Sequence, residues 1–222
     1  MLDTPIPMDL LDYSRNLFAP PDSLLIELTE AAHDFGMPVG WEITPDVGRL
    51  FQLLCRAVGA RKVLEFGTLA GHSALWFARS LPSLGKVFSI EINPDYAQFA
   101  RERLADLGYA DNVEIRVGGC RDLLPQLEAE APFDVIFLDA DKAHYPEFLD
   151  WAVRVLRPGG LLLADNVLRS GSWNEQTLLD PAADDPRILA IRIFNERLAN
   201  HPQFTSLILP MRAGVAVGLF QG

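Results

Sequence analysis

Residues 63–73 read VLEFGTLAGHS, an apolar run that passes through two glycines into a stretch of helix-forming residues. Gly67 allows the backbone to turn sharply at the end of the run, and it leaves room for a ligand against the main chain. The first turn of the next helix offers free N–H groups to a carboxylate or a phosphate. The pattern indicates a ligand-binding strand–loop–helix unit, although a tight turn without a ligand explains two glycines equally well.

Apolar runs alternate with helical patterns on both sides of this loop. Strands are predicted over 62–66, 86–92, 113–117, 133–138 and 160–164, and a helical pattern follows each of the first four. Short, nearly continuous apolar strands are typical of a parallel sheet that helices cover on both faces. These elements therefore predict an α/β fold.

The last part of the chain has a different pattern. A polar loop at 166–183 precedes a helix at 186–199 and two strands at 204–209 and 214–220. Because only residues 210–213 separate the two strands, they should pair as an antiparallel hairpin. We expect a doubly wound, Rossmann-like α/β fold whose mostly parallel sheet ends in an antiparallel C-terminal hairpin.

The segment before the sheet is predicted to be helical. Apolar residues recur at helical spacing over 23–35, and a second helix over 44–59 begins with a Thr-Pro pair suited to an N-cap and first turn. No linker composition interrupts the chain. We expect one domain over 1–222, with N-terminal helices in 1–60 and a cofactor-binding core in 61–222.

Charge and composition limit the possible partners. The 222 residues include 19 basic and 30 acidic side chains, which gives a formal net charge of 19 − 30 = −11. An acidic chain is a poor partner for nucleic acid and for anionic membranes, since both bind through Lys and Arg. We therefore expect no nucleic-acid or membrane partner.

The cysteines and the N-terminal sequence predict a cytoplasmic location. Cys55 and Cys120 are too few for a disulfide framework or a four-thiolate zinc site, so we expect two reduced thiols. The first residues lack the basic and apolar regions of a secretory signal. Apolar runs such as 213–220 are far shorter than a membrane span.

An acid at the end of the second strand indicates a nucleoside. Glu91 stands where carboxylates of doubly wound nucleotide-binding proteins accept hydrogen bonds from ribose hydroxyls, although an isolated acid is more often a solvated charge. The loop has leucine at position 69, so it lacks the G-x-G-x-x-G spacing that brings a pyrophosphate close to the backbone. A nucleoside without phosphates is favoured over a dinucleotide.

Together these residues resemble the S-adenosylmethionine (SAM) site of class I methyltransferases. Three further motifs restrict the resemblance to one family within this class: Thr-Pro-Asp-x-Gly at 44–48, FLDADKAHY at 137–145 and ADN at 164–166. These motifs are similar to those of cation-dependent O-methyltransferases, the family of the caffeoyl-CoA and catechol O-methyltransferases. The resemblance implies a seven-stranded class I methyltransferase architecture. It also implies methyl transfer from SAM to a hydroxyl of a catechol-like small molecule.

We base the assignment of the cofactor site on the glycine loop, on the residues at the strand ends and on this resemblance. The assigned residues are Ile43, Glu65, Gly67, Ser73, Glu91, Gly119, Cys120 and Asp139. The family often has aspartate where this chain has Gly119, so the adenine contact at 119–120 must use backbone groups or an apolar sandwich.

Oxygen-bearing side chains end the fourth and fifth strands. Asp139 ends one and Asp165-Asn166 ends the other, so adjacent strands about 4.8 Å apart would bring them together at the ligand-binding edge. Two carboxylates and an amide oxygen suit a hard cation such as Mg²⁺ better than zinc. The alternative is helix capping. The resemblance assigns Asp139, Asp165 and Asn166 as metal ligands, and we interpret Asp141 as a cap or a charge behind them.

Lys142 follows Asp139 by three residues. A loop lysine is usually solvated, but beside a dication a neutral amine is favoured over an ammonium and can accept a proton. The resemblance gives Lys142 the role of general base toward the substrate hydroxyl.

Three questions of function stay open at this stage. A nicotinamide oxidoreductase and a binding module without catalysis are the alternatives to a methyltransferase. Among acceptors, a CoA thioester competes with a small vicinal aromatic diol, which the net charge of −11 favours. The N-terminal helices are the expected interface of a homodimer.

Overall fold

The structure is a computed structural model that describes residues 8–20, 22–38, 40–170 and 174–222. The helices of these residues are α1 (Met8–Phe18), α2 (Ser23–Asp34), α3 (Pro45–Ala57), α4 (His72–Ser80), α5 (Pro94–Asp106), α6 (Cys120–Glu128), α7 (Tyr145–Val155), α8 (Glu175–Leu179) and α9 (Pro186–Ala199). The strands are β1 (Lys62–Phe66), β2 (Lys86–Glu91), β3 (Val113–Val117), β4 (Phe133–Leu138), β5 (Leu156–Ala164), β6 (Phe204–Leu209) and β7 (Val215–Phe220). No helix of the described residues is long and apolar enough to cross a membrane.

The strands form one seven-stranded sheet in the order β3-β2-β1-β4-β5-β7-β6. The first five are parallel, and β7 runs antiparallel to both β5 and β6. The prediction of a mostly parallel sheet with an antiparallel C-terminal hairpin is confirmed. Because β1 lies between β2 and β4, the chain order reverses at its end, where open α/β sheets bind ligands.

Two elements differ from the sequence prediction. Strand β5 begins at Leu156 rather than at residue 160, and Leu156 pairs with Phe133 before the register shifts. The Pro-Gly-Gly stretch at 158–160 hides this early pairing, because it interrupts the apolar pattern of a strand. The predicted loop at 166–183 also contains the short helix α8, whose first turn is capped by Asn174.

Buried aromatic side chains hold the N-terminal helices to the sheet. Phe51 of α3 stacks on Phe77 of α4 at a ring distance of 5.3 Å and meets Phe137 of β4 edge-on at 4.8 Å. All three rings are fully buried on one face of the sheet. This contact fixes α3, and with it the segment before α3, above the ends of β1 and β4.

We expect Phe51→Ala to lower the free energy of unfolding by about 3–5 kcal/mol, since it leaves a cavity beneath α3. Chemical denaturation of the ligand-free protein measures this change. The control, Leu84→Ala, removes a side chain that is 90% exposed and should change stability by less than about 0.5 kcal/mol. Equal effects of the two substitutions would contradict the packing of α3 described above.

Candidate active site

The loop after β1 lies directly against the end of β4. Gly67 has a φ of +102°, and a Cβ at this position would stand 2.4 Å from the backbone oxygen of Asp139. Only glycine fits both the conformation and the space. The sharp turn predicted from the sequence thus brings the glycine loop and the first predicted metal ligand together.

Glu91 closes the glycine loop from the β2 side. Its Oε2 accepts a hydrogen bond from the backbone N–H of Leu69 at 2.8 Å, and its Oε1 accepts one from Asn93 at 2.9 Å. Leu69 has a left-handed φ of +49°, so the loop keeps a strained turn at the position where a dinucleotide loop has glycine. Glu91 is therefore a held carboxylate rather than a solvated charge, and each of its oxygens retains a lone pair for a ribose hydroxyl.

Glu65 is a fully buried carboxylate at the end of β1. Its Oε2 accepts a hydrogen bond from the hydroxyl of Ser89 at 2.6 Å, whereas Oε1 has no hydrogen-bond partner within the described residues. Burial raises the pKa of Glu65 to about 8, and Asp139 and Glu91 add to the rise. The hydroxyls of Ser73 and Ser89 oppose it. An unpartnered buried carboxylate oxygen fits a cationic or hydrogen-bonding group of a bound ligand.

Gly119 and Cys120 begin α6 beside Glu91. The N–H of Gly118 donates to the backbone oxygen of Glu91 at 2.9 Å, which brings this turn next to the end of β2. Burial, followed by the charge of Glu91, raises the pKa of the half-buried Cys120 thiol to about 12. Cys120 therefore stays protonated and offers an apolar wall.

Ile43 is buried in the cluster beneath α3. The residue before it, Glu42, lines a small cavity together with Leu69 and His72. Ile43 therefore directly follows a residue that shares a cavity with the glycine loop.

Asp139 and Asp165 leave the sheet side by side. They follow Leu138 and Ala164, which are paired in adjacent strands, and the N–H of Asp165 donates to the Leu138 oxygen at 3.0 Å. Neither acid caps a helix in the described chain, because Asp141 caps the short 3-10 turn at 142–144 and the next helix is α8. The capping alternative for Asp139 and Asp165 is wrong, and the interpretation of Asp141 as a cap is confirmed.

Lys142 points into the site and not into solvent. Its ammonium donates to Asp139 Oδ1 at 2.9 Å and to the hydroxyl of Tyr145 at 2.8 Å, and its side chain is only 11% exposed. The Tyr145 hydroxyl donates in turn to the backbone oxygen of Leu138 at 2.7 Å. Burial raises the pKa of Tyr145, so this hydroxyl remains a neutral support for the lysine.

Arg212 holds the second carboxylate. Its Nη1 donates to Asp165 Oδ2 at 2.6 Å, while Asp165 Oδ1 accepts from the N–H of Asn166 at 2.8 Å. Asn166 itself has a left-handed φ of +60°. Burial and the charge of Asp139 raise the pKa of Asp165, and Arg212 opposes the rise.

Sequence reasoning missed Tyr145 and Arg212 as site residues. Tyr145 stands inside the quoted motif at 137–145, three residues after Lys142, and this spacing was the signal for it. Arg212 is 47 residues from Asp165 in the sequence, and no local pattern marks it.

The donor set at the ends of β4 and β5 fits a hard cation by its chemistry. It consists of the carboxylates of Asp139 and Asp165 and the side-chain amide of Asn166. Among the described residues, no group made only of His, Cys, Asp or Glu has the three members needed to hold a metal ion. Lys142 and Arg212 balance the two carboxylates of Asp139 and Asp165. Because oxygen donors suit Mg²⁺, the predicted ligands remain a chemically sound set.

A glycine loop at the end of β1 and a carboxylate at the end of β2 of a doubly wound α/β sheet are typical of nucleoside-binding enzymes. The model of the O-methyltransferase family matches residues 19–219. A catechol O-methyltransferase of Niastella koreensis is 38% identical over 201 residues, which cover 90% of this chain and 88% of that protein. A catechol O-methyltransferase of Mycobacterium tuberculosis is 38% identical over 160 residues, which cover 72% and 70%. The chain belongs to the O-methyltransferase family.

Solved structures agree with this family. An O-methyltransferase from Bacillus cereus, in complex with S-adenosylhomocysteine (SAH), matches with a TM-score of 0.86 at 34% identity and covers 96% of this chain and 97% of that one. An O-methyltransferase from Streptomyces achromogenes, in complex with SAM, matches with a TM-score of 0.85 at 33% identity and covers 96% of each chain. The protein is a SAM-dependent O-methyltransferase with class I architecture, so the oxidoreductase and non-catalytic alternatives are wrong.

The buried carboxylate of Glu65 makes the stability of the ligand-free protein depend on pH. Because its pKa rises from an ordinary 4.5 to about 8 on folding, wild type should lose stability as pH rises through this window. Glu65→Gln removes the titration, so its stability relative to wild type should grow by about 3 kcal/mol between pH 5.5 and pH 8.

Denaturant unfolding at several pH values measures this difference. The control, Glu30→Gln, changes an exposed glutamate of α2 and should leave the pH profile of wild type intact. Parallel profiles for Glu65→Gln and wild type would contradict a raised pKa at Glu65.

Proposed function

We propose that this enzyme transfers the methyl group of SAM to one hydroxyl of a small vicinal aromatic diol, with a divalent cation at the site and Lys142 as general base. The observation that carries the proposal is the placement of Lys142, which is held by Asp139 and Tyr145 next to the glycine loop. The relatives named catechol O-methyltransferase support the acceptor class.

The proposed cofactor residues match the chemistry of SAM. The buried carboxylate of Glu65 and the partly buried carboxylate of Asp139 suit the cationic methionyl end, where the hydroxyl of Ser73 is a further donor. In this proposal Glu91 accepts hydrogen bonds from the ribose hydroxyls, and Gly67 leaves room for the nucleoside against the main chain. The other proposed cofactor contacts are Ile43, Gly119 and Cys120, of which Cys120 contributes an apolar surface for the adenine.

Asp139, Asp165 and Asn166 are the proposed ligands of a divalent cation, most suitably Mg²⁺. When bound, such a cation lowers the pKa of a coordinated hydroxyl and fixes its orientation. The chain supplies the ligands on two strand ends that backbone hydrogen bonds hold in register.

Lys142 takes the proton of the reacting hydroxyl in this proposal and becomes an ammonium; before the reaction it would be the neutral amine that a neighbouring dication favours. The Tyr145 hydroxyl and Asp139 fix the position of its nitrogen, so the amine needs little reorganisation to reach the substrate. The oxygen then attacks the methyl carbon in line with the sulfur, and the C–S bond breaks as its electron pair returns to the sulfur, which leaves SAH and the methyl ether. The CoA thioester alternative stays open, but an acidic protein gives no overall attraction to a polyanionic acceptor.

We also propose that residues 1–222 act as one domain in a cytoplasmic homodimer. The family model spans α2 and α3 as well as the sheet, which supports the single domain. Exposed aromatic side chains of α1, Tyr13 and Phe18, support an interface at the N-terminal helices. Both cysteines are free thiols, as expected in a reducing compartment.

Lys142→Met should reduce kcat by about 10²- to 10⁴-fold, because the hydroxyl loses its proton acceptor. Methyl transfer from labelled SAM to a panel of catechols and acyl-CoA thioesters measures kcat, and calorimetry with SAH measures cofactor affinity, which should not change. The control, Lys86→Met, changes a lysine at the opposite end of β2 and should retain full turnover. Equal loss of turnover and SAH affinity in Lys142→Met would mean that Lys142 is structural.

Removal of divalent cations should abolish methyl transfer to a catechol, and Mg²⁺ should restore it. Asp165→Asn should also weaken Mn²⁺ binding, followed by calorimetry, at least tenfold, since the site loses one of its two charges. The matched control is Asp106→Asn, an exposed acid at the end of α5. Full activity in chelator, or equal Mn²⁺ affinity in both variants, would remove the metal from the proposal.

A further inference from the structure

Arg212 adopts a backbone conformation that favours glycine. It lies in the turn between β6 and β7 with a φ of +48°, in the left-handed region where a side chain is strained. A glycine would adopt this turn without that strain. Such strain persists where the contacts of the residue hold it in place, so the contacts of Arg212 identify what it does.

The guanidinium of Arg212 joins two distant parts of the chain. Its Nη1 donates to Asp165 Oδ2 at 2.6 Å. Its Nη2 lies within hydrogen-bond distance of three backbone oxygens, those of Gly40 at 3.1 Å, Trp41 at 3.2 Å and Glu42 at 2.9 Å. The Arg212 side chain is only 15% exposed and Asp165 is fully buried, so the charge-assisted bond between them is shielded from water.

The segment 40–42 borders the cofactor loop and has no helix or strand of its own. It leads directly into the buried Ile43, and Glu42 lines a small cavity together with Leu69 and His72, which flank the glycine loop. The position of segment 40–42 therefore depends on what binds its carbonyl groups, and the two N–H groups of Arg212 Nη2 are shared among three consecutive ones.

We propose that Arg212 is a positioning residue of the cofactor site, which holds segment 40–42 against the glycine loop by anchoring it to Asp165. The inference rests on the proposed function, since it takes Ile43 and the glycine loop as cofactor contacts. It adds that Asp165 serves the cofactor side of the site as well as the metal side. Loss of the Arg212 guanidinium loosens segment 40–42 and weakens cofactor binding, although no residue that contacts the cofactor is removed.

Two variants of Arg212 separate this role from folding. Arg212→Gly removes the guanidinium and relieves the left-handed strain, which offsets part of the cost of leaving the buried Asp165 carboxylate without its cation, and its Tm shows whether it folds. Arg212→Lys keeps the charge beside Asp165 but lacks the planar fork that reaches three carbonyl groups. Arg157→Met is the matched control, because Arg157 likewise joins a strand carboxylate, Asp134, to a backbone oxygen, that of Val58, but at the opposite end of the sheet.

Two measurements on ligand-free, chelated protein test the proposal. Cleavage after the exposed Trp41 by chymotrypsin, identified by fragment mass, should be at least fivefold faster in Arg212→Gly than in wild type. The dissociation constant for SAH, by calorimetry, should rise three- to tenfold, with Arg212→Lys between the two proteins. Arg157→Met should lower Tm but leave the Trp41 cleavage rate and SAH affinity at wild-type values.

Wild-type cleavage or wild-type SAH affinity in Arg212→Gly would overturn the role of Arg212. Equal changes in Arg157→Met would also overturn it, because the effect would then be general destabilisation. Neither measurement involves an acceptor or a metal. A wild-type protein that binds SAH but methylates no aromatic diol would therefore refute the proposed acceptor, while the same data still decide the role of Arg212.

Discussion

The close approach of the β1 and β4 ends leaves no room for a side chain at residue 67. A Cβ on Gly67 would stand 2.4 Å from the backbone oxygen of Asp139, and the N–H of Asp139 donates to the backbone oxygen of Phe66 at 2.8 Å. The glycine loop and Asp139, which pairs with Lys142, are therefore in direct backbone contact. This constraint places the glycine loop and Lys142 at the same sheet edge, which is the geometry that the proposed methyl transfer between two bound molecules needs.

The charges of the site are balanced from within the chain. Asp139 and Asp165 are held by Lys142 and Arg212, whereas the buried Glu65 has only hydroxyl partners and a pKa raised to about 8. A buried carboxylate without a cation is costly, so Glu65 is the position where a cationic ligand relieves the largest penalty. At Asp139 and Asp165, in contrast, an incoming cation shares carboxylates that already have partners. Binding of a cation therefore has a different electrostatic effect at Glu65 than at Asp139 and Asp165.

Much of this arrangement was predictable because it follows from local patterns and one topological rule. Apolar runs located the strands, and the rule that parallel strands present their carboxyl ends at one edge placed Glu91, Asp139 and Asp165 together. The support around them was not predictable. Arg212 meets Asp165 across 47 residues and segment 40–42 across about 170, and no sequence period records such a contact. The start of β5 was missed for the opposite reason, because a local Pro-Gly-Gly signal concealed a real pairing.

The N-terminal helices take part in the site through Leu69. Its left-handed turn projects a leucine where dinucleotide loops have glycine, and this side chain packs on a cluster that includes Leu28 and Ala32 of α2. Ala70 is buried in the same cluster. The glycine loop is thus held from one side by the Glu91 carboxylate and from the other by α2. A leucine held by α2 at this position departs from the G-x-G-x-x-G spacing of dinucleotide loops, so the helices before the sheet help to set the difference between this loop and a pyrophosphate-binding one.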